Sequence, residues 1–135
     1  MKKNFTVLVI LVLTVAFAYA ADDLFKKVDK DADGKISKHE YMDAVDEAFA
    51  KHDQNADGTL TREEISSIGK IDAEKFTKET DSDNDGKILK EEFREAARKQ
   101  FKTIDKSEDG YIDLKEWKTA VKSQPKSPML ILFTF

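Results

Sequence analysis

The chain has 135 residues, 37% of them charged, a formal charge of −4 and no cysteine. That length suits one small domain, and the missing cysteines exclude disulfides, thiolate metal sites and a cysteine nucleophile. The acidic balance argues against nucleic-acid binding, which shows as a basic patch.

The first twenty residues, MKKNFTVLVILVLTVAFAYA, set Lys2 and Lys3 before an apolar run from Phe5 to Phe17 and close on Ala18, Tyr19 and Ala20. A charged start, an apolar centre and a small-residue end are the order of a secretory signal. Residues 1–20 are therefore expected to be cleaved after Ala20, leaving a secreted or periplasmic chain. The competing reading, a retained anchor, needs about 20 apolar residues, and the run has only about 13. Removing Lys2 and Lys3 from the 23 basic side chains leaves 21 against 27 acids, a net of −6.

From residue 29 a twelve-residue pattern recurs. DKDADGKISKHE runs from 29 to 40, DQNADGTLTREE from 53 to 64, DSDNDGKILKEE from 81 to 92 and DKSEDGYIDLKE from 105 to 116. Each copy has aspartate first, glycine sixth, isoleucine or leucine eighth and glutamate twelfth, and such repetition governs how the whole chain is read. Negative charges this close repel, so the pattern calls for a cation. Side chains at positions 1, 3 and 5 of a tight loop turn inward together. Position 7 offers a backbone carbonyl, position 9 an oxygen or a water, and the glutamate at 12 reaches in with both oxygens. That is the cage of six to eight oxygens, at about 2.3–2.6 Å, that Ca²⁺ takes. Glycine at 6 is expected where a side chain would obstruct the turn. Asp, Asn and Gly are ordinary turn residues too, but a plain turn gives no reason for glutamate at one fixed distance four times.

The intervening segments read as helices. Leu24, Phe25 and Val28 precede the first loop. YMDAVDEAFAKH, residues 41–52, has no Gly or Pro and carries Tyr41, Val45, Ala48, Phe49 and His52 at helical spacing. One helix therefore leaves loop one and enters loop two, and those loops sit at opposite ends of a rod of about 22 Å. In the longer middle gap, ISSIGKIDAEKFTKET, Gly69 is a helix stop and Asp72 an N-cap. Loops two and three can then lie side by side, with Leu60 against Ile88 in a short β-bridge. FREAARKQFKTI repeats the rod pattern with Phe93, Ala96, Ala97, Phe101 and Ile104. By the near mirror of the spacings, loops one and four pair through Ile36 and Ile112.

The expected core is Leu24, Phe25, Val28, Tyr41, Val45, Phe49, Ile65, Phe76, Phe93, Phe101, Ile104, Trp117 and Val121. Phe25, Phe49 and Phe101 stand four residues before a loop, but Phe76 stands five before, so the third entering helix is expected to be rotated or distorted. His39 and His52 are too few for a zinc site of about four ligands. Pro125 and Pro128 end the last helix. The apolar run Met129–Phe135 is expected to fold back onto the body; it also has the uncharged, β-prone make-up of an aggregating segment.

These loops resemble those of the EF-hand family of calcium-binding proteins; the first three match D-x-[DN]-x-[DN]-G-x₅-E throughout. The chain is most similar to small secreted bacterial members, since calmodulin-like members place two helices between consecutive loops. The resemblance implies an all-α fold, an array of helix-loop-helix units with short β-bridges between paired loops, over residues 21–123. Residues 124–135 are left as an apolar tail. It implies ligands Asp29, Asp31, Asp33, the Lys35 carbonyl, Ser37 and Glu40 in loop one. Loop two supplies Asp53, Asn55, Asp57, the Thr59 carbonyl, Thr61 and Glu64. Loop three supplies Asp81, Asp83, Asp85, the Lys87 carbonyl and Glu92, with a water where Leu89 has no oxygen. Loop four supplies Asp105, Ser107, Asp109, the Tyr111 carbonyl, Asp113 and Glu116; Ser107 is a weaker ligand, and Asp113 partly compensates.

The function implied is calcium binding by an exported buffer or calcium-stabilised module, with calcium ions as partners, no nucleic acid and no membrane once the signal is cleaved. The alternative is a sensor that binds a target protein through a calcium-exposed groove. Such grooves are Met-rich, and beyond the signal only Met42 and Met129 occur. No phosphate loop, nucleophile elbow or HExxH points to an enzyme. Dockerin-like cohesin binding fits less well, because dockerins use two loop-helix units.

Overall fold

The computed structural model describes residues 21–68 and 71–124. The expected signal at 1–20, the helix stop at Gly69 and the tail from Pro125 onward lie outside the described residues. Helix α1 covers residues 21–28. It is followed by β1 (Lys35–Ser37), α2 (Lys38–His52), β2 (Thr59–Leu60), α3 (Arg62–Ser67), α4 (Ala73–Thr80), β3 (Ile88–Leu89), α5 (Lys90–Ile104), β4 (Tyr111–Asp113) and α6 (Leu114–Ser123). The fold is mostly helical, and its strands form two antiparallel ribbons, β1 with β4 and β2 with β3.

Both α2 and α5 run unbroken for 15 residues from one loop to the next, as the gaps without Gly or Pro require. They lie antiparallel. Tyr41 near the start of α2 meets Phe101 near the end of α5 at 5.3 Å between ring centroids, and Phe49 meets Phe93 at 5.4 Å. Both pairs are edge-to-face, the arrangement ring quadrupoles favour, worth about 0.5–1.5 kcal/mol beyond the area buried. Val45 and Ala97 are fully buried on the same two helices. At the margin Asp46 faces Arg94 Nε at 3.5 Å and Lys90 Nζ at 3.8 Å. Burial pushes the Tyr41 phenol well above its usual range.

The ribbons join the loops in the pairs the spacings allow. Leu60 stands opposite Ile88, and Ile36 opposite Ile112; all four side chains are fully buried. Loops one and two begin at 29 and 53, and loops three and four at 81 and 105, in each case 52 positions later. The chain is thus one loop-helix-loop unit written twice, with α2 and α5 as equivalent rods. Loop one meets four, and two meets three, because the rods are antiparallel.

The ends of the body close differently. Phe25 packs edge-on to Trp117 at 6.3 Å, and Trp117 Nε1–H donates to the Ala21 carbonyl at 3.0 Å, tying α1 to α6. On the other side α4 is not distorted, contrary to expectation. Asp81 N–H donates to the Thr77 carbonyl just as Asp29, Asp53 and Asp105 donate to Phe25, Phe49 and Phe101. Thr77 has simply replaced the phenylalanine at that place, and the neighbouring Phe76 packs edge-on to Phe93 at 6.3 Å instead. Of the expected core, Leu24 and Val121 are only partly buried at its rim, while Met42 joins it.

Candidate metal centres

The four loops repeat one backbone course. Position 4 is left-handed in every copy, with φ of 58° at Ala32, 55° at Ala56, 58° at Asn84 and 57° at Glu108, and so is the glycine at position 6. A Cβ on any of these glycines would meet nothing within 4 Å. The glycine is therefore needed for its positive φ, which costs other L-residues about 1–2 kcal/mol, and not because a side chain would be obstructed.

Within this course the acidic side chains fold the loop around themselves. The position-1 aspartate accepts the glycine N–H through Oδ2: Asp29 from Gly34 at 3.0 Å, Asp53 from Gly58 at 2.9 Å, Asp81 from Gly86 at 2.9 Å and Asp105 from Gly110 at 3.0 Å. The position-5 aspartate accepts the N–H of position 7: Asp33 from Lys35, Asp57 from Thr59, Asp85 from Lys87 and Asp109 from Tyr111, at 2.8–2.9 Å. Position 7 begins the ribbon strand in loops one, two and four, and immediately precedes it in loop three. Asp31, Asn55 and Asp83 at position 3 accept the N–H of Asp33, Asp57 and Asp85.

The glutamate at 12 swings back over its loop. Oε1 of Glu40, Glu64 and Glu92 accepts from position 2, that is Lys30, Gln54 and Ser82, at 2.7–2.9 Å. In loop four Glu116 Oε1 accepts from Ser107 N–H instead, at 2.8 Å. Oε2 accepts the position-9 N–H of Ser37, Thr61, Leu89 and Asp113. In three loops position 9 returns the favour. Ser37, Thr61 and Asp113 side chains accept from the N–H of Glu40, Glu64 and Glu116, forming capping boxes for α2, α3 and α6. The same residues thus start the outgoing helix and hold the glutamate over the loop. This second role was visible in the spacing Ser-x-x-Glu, Thr-x-x-Glu and Asp-x-x-Glu, but calcium chemistry alone does not point to it. Leu89 has no side-chain acceptor, so α5 has only the glutamate half.

The oxygens gather closely in two loops. One oxygen each of Asp29, Asp31 and Glu40 lies within 4.8 Å of the others, and so do those of Asp81, Asp83 and Asp85. The crowding shows in the carboxyls. At Asp31 the Asp33 N–H pulls the pKa down, yet desolvation and the charges of Asp33 and Glu40 carry it above the ordinary range; Asp83 is raised likewise beside Asp85 and Glu92. Burial pushes Glu40 and Glu64 up, but bonds from Ser37, Asp31 and Lys30, and from Thr61, Gln54 and Asn55, bring each below its usual value.

Loops two and four are arranged differently. Asn55 Nδ2 and Thr59 Oγ1 both donate to Asp57, at 3.1 and 2.8 Å, and the charge of Lys87 also acts on that carboxylate; hydrogen bonds from Thr59 lower its pKa. Ser107 Oγ donates to Asp105 Oδ1 at 3.3 Å, and Lys35 Nζ reaches Asp109 Oδ2 at 3.4 Å.

A hard divalent cation fits this donor set. The candidate side-chain donors are oxygens throughout, and Asp29 Oδ1 is buried with no hydrogen-bond partner. A carboxylate oxygen left so is costly unless a charge meets it.

Two family models match the chain. One, described as EF hand, matches residues 21–46 and 97–122, and the other, described as EF-hand domain pair, matches residues 56–100. Together they cover loops one, three and four in full and loop two from residue 56 onward. A search of curated proteins gives no match.

Proposed function

This chain belongs to the EF-hand family of calcium-binding proteins, and from that membership we propose that it is an exported, non-catalytic module that binds four calcium ions, one in each loop, as a buffer or as a body stabilised by the metal. The observation that carries this reading is the collected oxygens of Asp29, Asp31 and Glu40, with Asp29 Oδ1 buried and unsatisfied.

The residues divide the work. Asp29, Asp53, Asp81 and Asp105 anchor each loop to its glycine and offer their second oxygen to the ion. Positions 3 and 5 supply Asp31 and Asp33, Asn55 and Asp57, Asp83 and Asp85, and Ser107 and Asp109. The carbonyls of Lys35, Thr59, Lys87 and Tyr111 supply position 7, and Ser37, Thr61 and Asp113 position 9. Glu40, Glu64, Glu92 and Glu116 close the cage. Bound calcium supplies the positive charge that these carboxylates lack. Because the ligands are held by helix starts and ribbons, binding is coupled to the stability of the whole body.

A buffer or structural role is supported by how the rods are used: the aromatic faces of α2 and α5 are spent on each other, and Met42 is buried. Export rests on the N-terminal pattern of Lys2, Lys3 and the apolar run. Among the described residues no helix is long and apolar enough to cross a membrane.

Calorimetric calcium titration of the chelator-stripped chain, followed in parallel by circular dichroism, tests the reading. Four equivalents with a gain of helix or of thermal stability are expected. No uptake at millimolar calcium refutes it. Mass spectrometry of the chain recovered from its source organism tests export, with Ala21 as the expected first residue.

A further inference from the structure

We infer that the four loops form two classes, with loops one and three filling first, and that Lys35 and Lys87 hold loops four and two back through the positive charge each brings to the position-5 aspartate of the paired loop, Lys35 by direct contact with Asp109 and Lys87 at longer range from Asp57. The inference rests on the calcium reading above and adds an order and two residues to it.

The geometry begins with the ribbon registers. Pairing Ile36 with Ile112 places position 7 of loop one beside the end of loop four. There Lys35 Nζ lies 3.4 Å from Asp109 Oδ2 and 5.2 Å from the centre of the Tyr111 ring. The backbone of Lys35 serves its own loop while its side chain lies on a ligand of the neighbour. The 52-position repeat turns Lys35 into Lys87 and Asp109 into Asp57, and the second ribbon has the equivalent register, Leu60 to Ile88. The relation is one-sided. The residues at position 7 of loops two and four are Thr59 and Tyr111, which bring no positive charge to Asp85 or Asp33.

Position 3 divides the loops the same way. Loops one and three have Asp31 and Asp83, and only these loops gather three carboxylates within 4.8 Å among the described residues. In loops two and four position 3 is Asn55 or Ser107, and each donates a hydrogen bond to a neighbouring ligand carboxylate. There an entering cation must displace a neutral donor and face a lysine; in loops one and three it relieves repulsion. Each ribbon thus joins one early loop to one late loop.

The lysine effect acts between half-exposed groups, so screening keeps it to roughly three- to tenfold in affinity. The glycine amides of Gly34, Gly58, Gly86 and Gly110, each bonded to its own loop's first aspartate, report the loops separately in a calcium titration followed by two-dimensional ¹H–¹⁵N NMR. Gly34 and Gly86 are expected to shift first, then Gly58 and Gly110. Lys35→Met should move the Gly110 midpoint to lower calcium by about three- to tenfold and leave Gly58 in place. Lys87→Met should do the converse. Lys99→Met, which removes a charge from the exposed face of α5, should leave both midpoints unchanged. All four amides shifting together, or Gly58 or Gly110 leading, overturns the order. An unmoved Gly110 in Lys35→Met overturns the role of the lysine. If no glycine amide responds to calcium at all, the calcium reading itself falls, and the order with it.

Discussion

Ile36 and Ile112 stand directly opposite each other in one ribbon, fully buried, although one belongs to the first loop and the other to the last. Leu60 and Ile88 do the same in the second ribbon. With α2 and α5 as rods, the four loops close into a ring in which every loop touches one neighbour through a strand and another through a helix.

Ile112→Ala should therefore disturb two loops at once. The expected loss is about 2–5 kcal/mol of unfolding free energy, measured by urea denaturation of the calcium-loaded chain. Calcium binding in loops one and four should weaken together, while loops two and three hold.

Glu64→Gln should remove one calcium equivalent and leave the helix start intact. Glutamine can still accept the Thr61 N–H, as capping boxes allow, but it brings no charge. Calorimetry should count three equivalents, and a count that stays at four refutes the role given to Glu64.

Leu89→Thr should strengthen the third loop. Leu89 is 41% exposed, so little core is lost. The hydroxyl would complete the missing half of the capping box, worth about 1 kcal/mol, and add an oxygen at position 9. Thermal unfolding in chelator isolates the first effect, and a tighter Gly86 midpoint in the presence of calcium reports the second.

Gly58→Ala should cost about 1–2 kcal/mol through its φ of +82° alone, since its Cβ meets nothing. Unfolding of the metal-free chain measures this. A loss well beyond that range implies a clash the geometry does not contain.

Phe49→Ala should cost about 3–5 kcal/mol, because it empties one of the two aromatic contacts between the rods. Chelation should then unfold the variant at a temperature where the parent chain stays folded, read by circular dichroism.

Much of this was legible in the letters because the constraints are local. Twelve residues without Gly or Pro between two loops leave room for one helix, and that alone separates loop one from loop two. The pairings followed from the gap lengths and the near mirror of the spacings, with the eighth residues as the expected points of contact. Other features were not legible. Ala32, Ala56 and Glu108 adopt left-handed φ although none is Gly or Asn; the loop's hydrogen bonds impose it. Thr77 replaces a phenylalanine without disturbing α4, since backbone bonding, not the ring, sets the entry into the loop. The meeting of Lys35 with Asp109 depends on a register between distant segments, which spacing does not display.

The doubled unit has a consequence for assembly. Shifted by 52 positions, Phe101 becomes Phe49, Phe93 becomes Tyr41 and Ile112 becomes Leu60. Two copies of the first half could thus meet antiparallel about a twofold axis and find, in each other, close counterparts of the partners that the second half now provides. Each half is self-complementary, as a twofold-symmetric dimer requires. In the chain the two halves differ at their ends: Phe25 packs against Trp117, and 52 positions away the corresponding residues are Thr77 and Ile65, so one end closes on an aromatic pair and the other does not.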